Sequence, residues 1–319
     1  MNGLHKLCLA AICFAAIPAM ALAGETYPLR PITLVVSSAP GGALDVTGRL
    51  LATELGKHLD GSVVVENKPG ANSTIGARQV ARAQPDGYTL LLTSESSMSI
   101  APVVMDVMPF DVENDLIPIS LVATLPMLLV ANPDLGAASV GDLITLAKQK
   151  PGALRYGTAG LGSIHYFGME LFQSAAGIKM MHVPYKAGPQ TITDLVAGNI
   201  DVALLAGGVA APLMASQRIV ALAVTATEEI EAAPGVKPVV DTLPGFKFET
   251  WFAMFAPAGT PNEILQKLHG AVEASLQSNT LRASLAKEGI LAEASSPEAL
   301  QQRVVRDRQK FIAIKEAAK

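Results

Sequence analysis

From Pro31 onward, short runs of unbroken apolar residues alternate with stretches whose apolar positions recur every three or four residues. The first pattern predicts strands buried on both faces, the second helices with one covered stripe. Residues 31–38 (PITLVVSS) read as a strand, and 45–59 as a helix with Val46, Leu50, Leu55 and Leu59 on its stripe. Strands at 62–67 and 88–94 flank a helix at 73–83. A second series follows, with helices at 139–150, 163–177 and 190–199 and strands at 154–160, 180–186, 200–208 and 218–226. Single helices between strands imply parallel pairing under helical cover, an α/β fold. Two long apolar segments interrupt the alternation, 119–135, broken at Pro126, and 246–261; amphipathic helices at 262–278, 280–289 and 296–318 end the chain. Two α/β lobes joined by extended crossovers are therefore expected, closing like a hinge about a cleft. Lobe 1 takes 24–123 plus 246–319, and lobe 2 takes 124–245.

Residues 1–23 stand outside this pattern. Lys6 precedes an uncharged apolar run that ends in Ala21-Leu22-Ala23, small residues of the kind a signal peptidase reads. The run is short for a membrane span and has no basic flank after it, so it predicts a cleavable signal peptide and an exported protein. Both cysteines, Cys8 and Cys13, fall in this leader, which leaves the mature chain without thiol chemistry or disulfides. A chain that is 50% hydrophobic and 16% charged builds an ordinary core. The net charge of −4, or −5 once Lys6 is removed, carries no nucleic-acid footprint. His58, His165, His182 and His269 lack metal-ligand spacing. No cofactor or metal is expected.

Two strand-to-helix junctions carry the candidate chemistry. In APGGALD, Gly41, Gly42 and Ala43 stand directly ahead of a helix opening near Asp45. The first N–H groups of a helix have no intrahelical partner and sit at the positive end of its dipole. Glycines beside them admit the oxygen of an anion. Asp45 either caps its helix or serves a ligand through water; the plain alternative is a tight turn. In YGTAGLGS the pattern recurs, with Thr158, Ala159, Gly160 and Gly162 before Ser163 opens a helix. The spacing is neither a P-loop nor a dinucleotide fingerprint, and no lysine follows. A third candidate, TSESSMS (93–99) with Ser94, is a hydroxyl-rich anion loop or a solvated one; Glu95 opposes an anion if it faces inward. A hydrolase or lyase built on Ser163 and His165 is the catalytic alternative. Residues two apart on a helix point to different faces, and no nucleophile elbow is present, so no catalytic group assembles. His182 reads as packed at a strand edge.

Several stretches together resemble one family. YPLRPITLVVSSAPGGALDVTGRLLA (27–52), VVVENKPGANSTIGARQVARAQPDGYTLLL (63–92), MMHVPYKAGPQTITDLVAGNID (180–201), ALAVTAT (221–227) and WFAMFAPAGTP (251–261) look like Bug-type solute receptors of tripartite tricarboxylate transporters. The resemblance implies a two-lobed, type II-like Venus-flytrap periplasmic binding protein, each lobe a mainly parallel sheet flanked by helices. It implies a monomeric, non-enzymatic receptor that captures a small organic mono- or dicarboxylate and delivers it to a two-subunit membrane permease. A receptor feeding a membrane sensor kinase needs the same closure. The loop matching Ala39 to Asp45 is then expected to hold a ligand carboxylate through backbone amides and bridging waters, and the loop matching Thr158 to Ser163 to contribute from the other lobe. Where relatives show proline and an aromatic, this chain has Ser37 and Ser38, which predicts a wider or wetter wall. Where they carry an Asp-Asn pair, it has Leu205 and Ala206, then Gly207 and Gly208, which predicts an apolar opposite wall. The expected ligand is a carboxylate with a partly apolar or aromatic far end, not citrate.

Overall fold

The computed structural model describes residues 27–317 apart from Ala187; the segment 1–23, expected above to be a signal peptide, lies outside them with Cys8 and Cys13. The chain opens with β1 (Ile32–Val36), α1 (Ala43–Leu59), β2 (Val63–Asn67), α2 (Thr74–Ala81) and β3 (Thr89–Ser94). The order β2-β1-β3 is parallel throughout, as single-helix crossovers require. Ile32, Leu34 and Val36 face α1 and a later helix, whereas Val35 faces α2. Both faces are covered, which is why the run is apolar without alternation; each fully buried side chain contributes about 1.5–3 kcal/mol. After β3 the chain makes a buried π-turn (Ser96–Ile100) and a short α3 (Ala101–Val104), not a solvated loop.

β4 (Leu116–Ala131) is one strand of 16 residues, and the expected break at Pro126 is instead a change of partner. Leu116–Pro126 pairs antiparallel with β9 (Glu249–Pro257), whereas Met127–Ala131 pairs with β7 (Val202–Ala206) and β8 (Val220–Val224). Proline has no N–H to give a ladder, and it falls at the residue where the ladder changes hands. Register shifts between Pro118 and Ser120 and between Leu121 and Ala123 let so long a strand curl.

The second half runs α4 (Val140–Gln149), β5 (Arg155–Thr158), α5 (Ile164–Ala176), β6 (Met181–Pro184), α6 (Gly188–Val196), β7, α7 (Gly207–Ala215) and β8. Its β6-β5-β7 core is parallel, and β4 and β8 add antiparallel neighbours. After β9 come α8 (Asn262–Leu276), α9 (Asn279–Lys287), β10 (Leu291–Ala292) and α10 (Pro297–Ala317). Phe311 and Ile314 near the end of α10, with Ile100 and Val104, pack into the core around Phe167 and Phe172 and so tie the two halves together. Helix α7 is a departure from the sequence reading, which carried the strand on through Gly208. Gly207 and Gly208 form its first turn against α9: the Gly208 N–H donates to the Glu288 carbonyl at 3.1 Å. A Cβ on Gly207 would sit 2.9 Å from Ala232 Cβ and 3.3 Å from Gly289 Cα, so only glycine permits this approach.

Candidate ligand-binding site

The first turn follows β1. Ala39 to Gly42 are exposed, and Gly41 takes the left-handed φ of +84°. Helix α1 starts at Ala43 with Gly42 as its N-cap and no side-chain cap, so Asp45 does not cap it. Asp45 is 3% exposed, and its carboxylate accepts from the Gly41 N–H and Asn67 Nδ2, both at 2.8 Å, and from Arg49 at 3.0 and 3.1 Å. Asn67 Nδ2 also donates to the Ser38 carbonyl at 3.1 Å. Burial by itself raises the Asp45 carboxyl; the bonds from Arg49, Gly41 and Asn67 outweigh it and hold the group below the usual carboxylate range. The Gly41 N–H is thus consumed within the turn. Those of Ala43, Leu44 and Asp45 have no acceptor among the described residues.

Neighbouring positions depart from expectation. Ser37 is 1% exposed, and its hydroxyl donates to Thr93 Oγ1 at 2.7 Å, which in turn shares a 2.6 Å bond with Ser97. A Cβ on Gly76 would lie 3.2 Å from Ser37, so this residue closes the end of the sheet and widens no wall. Ser94 is buried and accepts from the Ser96 N–H at 3.3 Å. Glu95 turns away into the interior, accepting from the Thr250 hydroxyl at 2.5 Å and the Trp251 N–H at 3.0 Å. Burial pushes its carboxyl up to about 7.

The second turn follows β5. Thr158 Oγ1 shares a 2.7 Å bond with His182 Nε2 and accepts from the Gly160 N–H at 3.2 Å. Ser163 is the N-cap of α5: its hydroxyl accepts from the Tyr166 N–H at 3.2 Å and donates to the Gly160 carbonyl at 2.7 Å. It is no nucleophile, because both its capacities serve the turn and neither meets His165. Half-buried and lining a cavity wall, His165 is pushed by burial down to about 4 and stays neutral at pH 7. The N–H groups of Ile164 and His165 have no acceptor among the described residues.

A third segment brings the turns together. Ala71, Asn72 and Ser73 take φ of 48°, 51° and 65°, an uncommon run for residues with side chains. Asn67 binds the first turn just before this loop, and Gly76 packs on Ser37 just after it. On its other side, a Cβ on Gly162 would lie 3.1 Å from Asn72 Nδ2 and 3.3 Å from Val104 Cγ2. The two helix starts therefore flank one junction. Asn67 and Asn72 were missed by the sequence reading; the only local trace is the turn signal in NKPGAN.

Beside this junction, at the carboxyl ends of β5 and β7, lies a cavity of about 250 Å3. Thr158, Ala159 and Ala206 line it together with His165, Thr191 and Leu205, whereas Ser38 to Asp45 and Ser94 do not. Its volume falls just short of the roughly 300–1,000 Å3 of complete ligand sites.

A family model described as the tripartite tricarboxylate transporter family receptor matches residues 47–317. The chain belongs to this receptor family. It is 33% identical to the protein BugT of Bordetella pertussis, covering 87% of this chain and 86% of BugT. Among solved structures, R. palustris Rpa4515 with adipate is 31% identical with a TM-score of 0.82, covering 92% of this chain and 98% of its own. The periplasmic binding protein BugD is 30% identical at a TM-score of 0.78, covering 92% and 98%. MatC from Rhodopseudomonas palustris with bound malate is 28% identical at 0.77, covering 90% and 99%. Members of the family are solute-binding receptors with a two-lobed α/β fold, not enzymes. The use of Ser163 as a cap agrees with that.

Proposed function

We propose that the protein binds a small carboxylate-bearing solute between the two turns and hands it to a two-subunit membrane permease. It acts as a periplasmic monomer after loss of residues 1–23, with 24–123 plus 246–319 as one lobe and 124–245 as the other. The observation that carries this reading is the pair of open helix starts, Ala43–Asp45 and Ile164–His165, flanking the Asn72–Gly162 contact. Asp45 and Ser163 spend their own polar atoms on bracing the turns, so main-chain N–H groups are what remain for an anion. Each helix end adds about 0.3–1 kcal/mol for a negative charge, more where water is excluded. Ala39, Gly41, Gly42 and Gly160 give the ligand oxygens room, and Ala206 and Thr158 form the inner wall. Adipate and malate, the ligands of two similar structures, both carry carboxylates.

Closure follows from the strand plan. β4 crosses between the sheets at Pro126, opposite Glu249 of β9, so bending there parts the two turns to admit the ligand and returns them around it. A thermal-shift screen of mono-, di- and tricarboxylates tests the reading. A true ligand at 100 times its dissociation constant stabilises the fold by about 2.7 kcal/mol. If no carboxylate shifts the midpoint while a neutral solute does, the proposal fails.

A further inference from the structure

His182 does more than pack at a strand edge. It stands in β6, the outermost strand of the second half, opposite Tyr156 of β5. Its Nε2 shares the 2.7 Å bond with Thr158 Oγ1, the same atom that takes the Gly160 N–H inside the second turn. Two rings fix its plane: Tyr156 stacks on it at 5.0 Å, and Tyr166, in the first turn of α5, lies tilted at 5.0 Å. The ring is only half-buried, so protons reach it from a groove that it lines with Tyr156, Tyr166, Glu170, Lys179 and Lys310. Glu170 is tied there to the Tyr156 hydroxyl and to Gln173.

The Thr158 hydroxyl has one proton to give. With His182 neutral it goes to Nε2 at 2.7 Å, because the other acceptor, the Gly160 carbonyl, is at 3.3 Å. On a protonated ring Nε2 carries its own hydrogen and donates back to Thr158, so the brace survives and gains a charge. Burial lowers the ring below its ordinary 6.5, and the positive end of the α5 dipole also opposes a cation beside it. A carboxylate on the Ile164 and Ser163-flanking helix start reverses that balance, since an anion nearby favours the charged imidazole.

Building on the carboxylate site above, we infer that His182 is a positioning residue of the second turn, and that a proton on its ring strengthens the hold on a bound carboxylate. It acts through Thr158 and the charge it brings to the α5 start. Anion binding and proton uptake are then linked: the anion raises the affinity of the ring for a proton, and the proton raises the affinity for the anion by the same factor.

Calorimetric titration of the mature protein with benzoate, adipate and malate at pH 6, 7 and 8 tests this. A probe that binds should do so about threefold or more tightly at pH 6 than at pH 8. His165, lowered to about 4, titrates below this range. His182→Gln sets an amide near the position of Nε2 that takes no proton; it should match the parent at pH 8 and lose the rise. His182→Phe keeps the stacking and removes the bond, so it should bind more weakly than the parent at every pH. In nitrogen-15 NMR without ligand, the Gly160 amide should titrate together with the His182 ring in the parent and stay flat in His182→Gln. A parent affinity that is flat with pH, an equal rise in His182→Gln, parent-like binding by His182→Phe, or a Gly160 amide indifferent to the ring each overturns the inference while the carboxylate site stands. If none of these probes binds, the inference falls, and the broader thermal-shift screen then decides the carboxylate reading by itself.

Discussion

Removing the Asp45 carboxylate tests how the first turn is held. Asp45→Ala leaves three donors without their acceptor: the Gly41 N–H, Asn67 Nδ2 and the Arg49 guanidinium. A hydrogen bond to a buried charge contributes about 1.5–3 kcal/mol, so the first two together set an upper figure near 6 kcal/mol. Water reaches the exposed Gly41 and the half-buried Asn67 once the carboxylate is gone, which lowers the cost. Arg49, with its side chain 55% exposed, adds at most about 1 kcal/mol. The expected loss is about 2–4 kcal/mol, or a fall in thermal midpoint of roughly 4–16 °C. Urea unfolding at pH 7, followed by the fluorescence of the buried Trp251, measures it. Arg49→Ala is the control and should cost about 1 kcal/mol or less. The sign with pH is also set. The folded-state value of Asp45 lies below its ordinary 3.8, so its contribution is complete above pH 4 and is lost as pH falls through the depressed value. An Arg49→Ala loss equal to that of Asp45→Ala, or a difference between parent and Asp45→Ala that persists to pH 2, refutes the account.

Other perturbations separate further parts of the structure. Ser163→Ala removes the cap on the Tyr166 N–H and should cost about 1 kcal/mol in urea unfolding; an unchanged midpoint counts against the capping role. Gly207→Val forces a side chain against Ala232 and Gly289, so a cost of about 1–3 kcal/mol and a larger radius of gyration in small-angle scattering are expected; a parent-like profile contradicts the close approach. Glu95 has its folded-state value raised from 4.5 to about 7, so its stabilisation is complete below pH 4.5 and is lost as pH climbs through 7. Glu95→Gln should therefore gain about 3 kcal/mol on the parent between pH 4.5 and 8. His165, lowered to about 4, acts in the opposite sense below pH 6.5, so the variant-minus-parent difference is the informative quantity. A difference flat with pH rejects the burial of the Glu95 charge.

The order of strands and helices was legible in the sequence because a run such as ITLVV, buried on both faces, differs locally from a striped helix. The two turns were legible for a similar reason: glycines ahead of a helix expose its first N–H groups whatever surrounds them. Helix α7 was not legible, since GGVAAPLMA is apolar on every side and has no stripe; contact with Glu288 and Gly289 sets where it begins. The roles of individual polar atoms were equally hidden. Whether Asp45 caps a helix or locks a turn depends on Asn67, 22 residues away, and the direction of Glu95 depends on Thr250, 155 residues away. Ser37, read as cleft wall, belongs to the end of the sheet because Thr93 takes its hydroxyl. Local backbone geometry decides where unpaired donors arise, and that much the chain determined by itself. Which of them stay free for a ligand is decided by hydrogen bonds between segments far apart in sequence, and those exist only in the folded protein.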